Sequence, residues 1–322
     1  MKKVLIPLIF CFVFVIAICF SFFFYSSING NTIFRINEGD NIVRISENLE
    51  EKHLISNKNR FKIYSKFWSL INGCAIVHVG EYEFHKGDKY SKVLDKICNG
   101  KSIMKTITIP EGFETREVVE ILNNDIDFIG NKIVFYEEGN LLPETYSFKS
   151  GIKREVIFDK MKDDFNDFVD REWKNRDKDV KLETKQEAII LASIVEKEAK
   201  TDEERPIIAS VYLNRLRIGM KLDADPTAIY EITRGKYKLN RLLTKNDLKI
   251  EGDYNTYKKK GLPIGPICNP GKKSIYAVLH PAKTTFLYFV AKEDLKGHYF
   301  SENYKDHLQN IKLVKLKNSE KH

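Results

Sequence analysis

Cysteine is scarce in this chain of 322 residues, five in all, and Cys11 and Cys19 fall in an apolar run near the N-terminus. The remaining three, Cys74, Cys98 and Cys268, have no C-x-x-C spacing, which argues against both a disulfide framework and a zinc site. A Cys74–Cys98 bridge is open to the chain, but three free or buried thiols are the favoured reading. Concentrated basic runs are also missing. Lys+Arg exceed Asp+Glu by 53 to 45, a net charge of +8 spread along the whole length. Such a mild excess suits an anionic surface or polymer and gives no sign of nucleic-acid binding. There is no H-E-x-x-H, Walker A, G-x-S-x-G or dinucleotide fingerprint, so metal, phosphate and serine chemistry lack sequence support. No metal and no other cofactor is expected, and no low-complexity linker divides the chain.

What the N-terminus does contain is a long hydrophobic run. Lys2 and Lys3 precede "VLIPLIFCFVFVIAICFSFFFY", Val4 to Tyr25, which holds no charge. As a helix it is long enough to cross a hydrocarbon core of roughly 30 Å. A cleaved signal peptide competes, but its apolar region is normally about 7–15 residues and ends at small residues, not at aromatic ones. The expectation is a cytoplasmic stub (1–3), a transmembrane helix (4–25), and everything from about Ser26 onward outside the membrane, since lysines stay inside.

Beyond the run, three segments share one theme: short strand, charged residue, Gly, helix. They are "INEGDNIVRISENLEEK" from Ile36, "FHKGDKYSKVLDKICNG" from Phe84 and "IPEGFETREVVEILNN" from Ile109. Gly39, Gly87 and Gly112 stand where the chain must turn, and Asp40 and Thr115 are candidate helix caps. The irregular spacing excludes a solenoid. The first two segments resemble LysM-like modules, which commonly bind glycans, and a module over 31–105 is expected. From 106 to 322 the texture shifts to longer helices and motif-bearing loops, with "KREVIFDKMKDDFNDFVDREW" as a charged amphipathic helix. Gly219 is expected to end another helix, and "TTFLYFVAKED" with "GHYFSEN" reads as a hairpin. The fold class is α+β: a transmembrane helix, a LysM-like module, then a mixed α/β catalytic domain.

The helix "QEAIILASIVEKEAK", Gln186 to Lys200, carries three glutamates. At about 100° per residue, Glu187, Leu191, Ile194 and Val195 all fall within roughly 60° of Glu198. Glu196 falls on the far side with Ser193 and Lys197, the expected solvent face. Glu198 is therefore a carboxylate in an apolar stripe, where desolvation favours the neutral acid and raises the pKa, as a general acid near neutrality requires. The bland alternative is a helix-end carboxylate paired with Arg205 or Arg215. Glu187 shares the face but lies roughly 16 Å away by helical rise, too far to be a partner.

Polar residues gather in the loops that follow. "LDADPTAIY" places Asp225 and Thr227 around Pro226, in a turn that cannot be mid-helix. "DYNTYKKKGLPIGPICNPG" collects Tyr254, Asn255, Tyr257 and Asn269 among glycines and prolines. Aromatic faces and fixed amides suit a sugar-binding groove, though the same composition also makes a long ordered loop. Asn214, Arg215, Tyr230 and His280 complete the set expected to bind substrate, although a lone histidine before a proline is more often structural.

"LASIVEKEAK", "ASVYLNRLRIGMKLDADPTAIY", "YNTYKKKGLPIGPICNPG" and "AVLHPAKTTFLYFVA" closely resemble the endolytic murein transglycosylases of the MltG (YceG-like) family, in the same order from about Phe34 to Leu313. The resemblance implies a bacterial inner-membrane enzyme, its catalytic domain extracytoplasmic (periplasmic), that cuts nascent peptidoglycan strands internally, with peptidoglycan synthases as expected partners. The second glutamate of "VEKE", Glu198, would be its single acid/base. It would protonate the oxygen between N-acetylmuramic acid and N-acetylglucosamine while the muramyl 6-hydroxyl closes on the anomeric carbon, leaving a 1,6-anhydro end. The sequence departs from the family in Glu144, where Asp is usual in "LLPETY", and in Ile264, where Pro is common; both bear on glycan register. Two rival readings stay open: a hydrolytic muramidase, and a membrane-anchored glycan-binding scaffold whose glutamate is structural.

Overall fold

The structure, a computed structural model, describes residues 13–14, 26–74, 76–134 and 136–319. The run expected to cross the membrane, Val4 to Tyr25, lies outside the described residues apart from Val13 and Phe14. Among the described residues no helix is long and apolar enough to cross one. The described residues form ten α-helices and four two-stranded sheets, an α+β fold. The described chain divides into two compact units: residues 26–106, 126–129 and 147–153, and residues 107–125, 130–146 and 154–319.

In the first unit β1 (Thr32–Ile36) and β2 (Gly80–Phe84) pair antiparallel, Thr32 opposite Phe84. Period-two alternation buries Tyr82 and Phe84 and turns Glu81 and Glu83 outward. Three helices cover the apolar face: α1 (Ile42–Glu51), α2 (Lys58–Asn72) and α3 (Tyr90–Cys98). Leu49, Phe61, Val93 and Ile97 close the core with Phe34 and Tyr82. The strand–Gly–helix theme is real: Gly39 and Gly87 take φ of 85° and 88°, values an L side chain rarely adopts. The cap falls one residue later than expected, however. Asn41, not Asp40, accepts from Val43 N and Arg44 N, while Asp40 closes the turn on Asn37 N. The cysteine expectation also needs correcting. Cys74 and Cys98 are disulfide-bonded with Cα atoms 5.7 Å apart, and among the described residues Cys268 is the one free thiol. Sequence spacing could not show that α2 ends beside the C-terminus of α3.

The chain enters the second unit within β3 (Met104–Thr108) and leaves and re-enters it around β4 (Phe128–Ile129), β5 (Thr145–Lys149) and β6 (Ile152–Lys153). The third copy of the theme continues into α4 (Thr115–Asn124), with Glu114 rather than Thr115 at the cap position. The helices α5 (Arg154–Asn175), α6 (Lys185–Glu198), α7 (Arg205–Arg217), α8 (Asp225–Thr233) and α9 (Lys272–Leu279) follow, then the β7 (Tyr288–Ala291) and β8 (His298–Ser301) hairpin and α10 (Tyr304–Ser319). Gly219, at φ 67°, follows the end of α7 as expected. Packing centres on α6, whose Ala188, Leu191, Ala192, Ser193, Ile194 and Val195 are all buried. Contacts from α5, α7, α8 and α9 surround it, and its small Ala188 and Ala192 admit close neighbours.

Candidate active site

Helix α6 starts at the cap Thr184, whose hydroxyl accepts from Glu187 N at 3.1 Å, and stops at Glu198, since Ala199 is already extended. Glu198 is thus the last helical residue of a buried helix, where the macrodipole disfavours a negative charge. Tyr212 of α7, itself fully buried, donates its hydroxyl to Glu198 Oε1 at 3.2 Å. Desolvation, then the charge of Asp225, pushes the Glu198 carboxyl up to about 7. A group so tuned is half protonated near neutrality and can both give and take a proton.

Asp225 reaches this place because it opens α8; the expected turn around Pro226 is the first helical turn, where proline is well tolerated. Its Oδ1 accepts from Tyr257 Oη at 2.6 Å, and burial followed by that bond keeps Tyr257 protonated far above neutrality. Arg215 adds a cation within electrostatic reach of Glu198, while its Nε and Nη1 donate to the Leu287 and Leu222 carbonyls at 2.7 and 2.6 Å. Glu198, Tyr212, Arg215, Asp225 and Tyr257 are therefore one electrostatic cluster. Sequence reasoning missed Tyr212. Its only signal was an aromatic hydroxyl inside a helix whose other apolar residues are aliphatic.

Glu196 is not on a solvent face. Its side chain is 5% exposed, Oε1 accepts from Arg205 Nη1 at 3.2 Å and Oε2 from Gly271 N at 2.9 Å. Ser193, placed by phase on the same open side, is buried, donating to Ile190 O and accepting from Ile267 N. The phase argument presumes one wet side running the length of α6, and beyond its first turn, where Lys185 and Gln186 are exposed, only Lys197 of the helix is.

The other expected residues fall in several places. Tyr230 and Tyr254 tilt against each other with centroids 4.7 Å apart, and Tyr230 donates to Glu138 at 3.3 Å. Glu138, another residue the sequence did not single out, also accepts from Thr115 N and Oγ1. Asn269 is fully buried: Oδ1 accepts from Leu141 N, and Nδ2 donates to Phe113 O. Asn255 donates to Leu248 O and Ile250 O, and Thr227 pairs with Thr256. Asn214 lies about 200° round α7 from Tyr212, donating to Thr284 O and Phe286 O. His280 caps the far end of α9, its Nδ1 3.1 Å from Asp177. Among the described residues no cluster of His, Cys, Asp and Glu could hold a metal ion.

The YceG-like family profile matches residues 34–313. An endolytic murein transglycosylase of Bacillus subtilis (strain 168) is 31% identical over 304 residues, covering 84% of this chain and 81% of the relative. An endolytic murein transglycosylase of Streptococcus pneumoniae serotype 2 is 26% identical over 322 residues, covering 86% of this chain and 57% of that longer protein. A crystal structure of a yceG-like protein from Listeria monocytogenes matches at a TM-score of 0.53 and 27% identity, over 87% of this chain and 99% of that one.

Proposed function

The chain belongs to the YceG-like family, and from that premise we propose that it is a peptidoglycan-cleaving endolytic transglycosylase with Glu198 as its only acid/base. The observation that carries this is the carboxyl at the end of α6, held by Tyr212 and tuned by burial and Asp225. Protonated Glu198 donates to the glycosidic oxygen as the bond to the muramyl anomeric carbon breaks. The resulting carboxylate takes the proton of the muramyl 6-hydroxyl as that oxygen bonds to the same carbon. The proton count closes without water, so no second carboxylate nucleophile is needed, unlike in retaining hydrolysis.

Tyr257 and Asp225 are the groups placed to meet sugar hydroxyls beside Glu198, and Arg215 offers a cation there. Tyr254 and Tyr230 supply an aromatic pair for a more distant ring. Asn214, Thr227, Asn255, Asn269 and His280 serve the substrate indirectly, through the backbone carbonyls, amides and side chains they hold in place. Val4 to Tyr25 is a single-pass anchor that leaves both units outside the cytoplasm, and the first unit is a LysM-like glycan-binding module.

Digestion of peptidoglycan in oxygen-18 water tests the reaction. Mass spectrometry is expected to find muramyl ends one water lighter than hydrolytic ends and free of label, with no cleavage by Glu198→Gln. Label at the new muramyl end would mean hydrolysis, with Asp225 as the carboxylate available to activate water.

A further inference from the structure

Helix α2 of the first unit buries one face and leaves a second apolar surface outside. Ile63, Leu70 and Ile71 are 51%, 76% and 80% exposed, and at about 100° per residue they fall within a roughly 100° arc. Lys66 and then Lys62 follow on one flank of that arc, about 40° and about 80° beyond Leu70, and the whole helix, KNRFKIYSKFWSLIN, carries cations and no acid. Among the described residues neither of these two lysines has an ion pair.

The inner face of α2 leads to where the apolar run ends. Phe61 and Tyr64 pack edge-on against Tyr90, centroids 4.9 and 5.7 Å away. Tyr90 N donates to Ser26 O at 3.0 Å, and Ser27 bridges to Lys89. Ser26 is the residue immediately after Tyr25. The described fold therefore starts at the first residue after the run Val4 to Tyr25, with no intervening sequence, and a run seated in a bilayer brings α2 to the lipid surface.

We propose that α2 is a second, interfacial membrane contact, with Ile63, Leu70 and Ile71 in the headgroup–acyl boundary of an anionic phospholipid bilayer and Lys62 and Lys66 against its phosphates. This rests on the reading of Val4 to Tyr25 as an anchor. Lipid is the occupant because an apolar stripe bordered by cations, on a helix without acid, matches an anionic interface. Two contacts hold the first unit against the membrane, where a run alone would leave it free to turn.

The test uses the full chain in phosphatidylglycerol nanodiscs that carry a phospholipid with a photoactivatable acyl chain. After irradiation and proteolysis, label is expected in Val4–Tyr25 and in Lys58–Asn72, the latter several-fold above the α1 peptide. The double variant Leu70→Glu/Ile71→Glu is expected to lose label from α2 and keep it in the run. Both substitutions lie on the exposed face and leave the core intact. A labelled run with α2 no higher than α1 overturns the interfacial contact while the anchor stands. An unlabelled run overturns the anchor reading itself, and crosslinks from α2 to a second copy would replace lipid with a dimer.

Discussion

Two glutamates two residues apart have different surroundings, and neither is a surface charge. Glu198 has a folded-state pKa of about 7, against about 4.3 for an ordinary glutamate. The folded protein therefore binds an extra proton between those values, and stability falls as pH rises through that window, by up to about 3.5 kcal/mol. Glu198→Gln removes this cost. It is expected to abolish cleavage yet unfold at higher denaturant than the parent near pH 8, the two converging below about pH 4.5. Activity is expected to fall above about pH 7 as the acid form is lost. Asp225→Asn removes the second cause of the raised pKa, so the basic limb of the kcat/KM profile is expected to move to lower pH. An unmoved limb would show that Asp225 does not act on Glu198. Glu196→Gln weakens the buried link to Arg205 and is expected to cost about 1.5–3 kcal/mol in urea unfolding, with turnover per folded molecule retained. Helical phase was enough to place Glu198 among apolar side chains. It could not reveal that Glu196 is covered too, because burial on the second side comes from Gly271 at the start of α9, 75 residues on, and from Arg205 beyond the loop that ends α6.

At the scale of elements, what local sequence controls was legible. The glycines placed at turns, the one hairpin read from the sequence and the charged amphipathic pattern of α5 all form as expected. Misses came where several local choices satisfy the same rule. Asn41 and Glu114 each took a cap beside the expected residue, and Pro226 began a helix where a turn was expected. The Gly/Pro-rich segment from Tyr254 to Asn269 looked like a sugar groove by composition. Its two asparagines spend their amides on backbone groups, contacts that only the fold brings together. Asn269 joins Phe113, Thr115 and Leu141, residues more than a hundred positions away. Asn269→Ala would leave the buried Leu141 N–H without its acceptor and remove a bond to Phe113 O. The expected cost is about 2–5 kcal/mol in denaturant unfolding, since each unmade buried bond costs about 1–3. Asn269→Asp, which keeps the acceptor, is expected to fall between the two.

Among the described residues each unit has its own hydrophobic core, and the disulfide lies in the first unit. Cys74 and Cys98 stand 24 residues apart in sequence, and closing a loop of that length restricts the unfolded chain by about 3 kcal/mol in the entropic account. The cysteine spacing left this bridge open but favoured free thiols, because pairing depends on the end of α2 arriving beside the end of α3. An exterior location lets such a bond persist, which agrees with placing the first unit outside the cytoplasm. Reduction therefore acts on one unit. Hydrogen exchange across α1, α2 and α3 is expected to accelerate strongly with reductant, while α6 and α7 keep their protection and peptidoglycan cleavage by the second unit persists. Alkylation of the untreated protein is expected to leave Cys74 and Cys98 unmodified, and equal labelling of both before reduction would show that the bond does not form. Equal acceleration in both units would show that they unfold as one, so that the cross-link stabilises α6 as well.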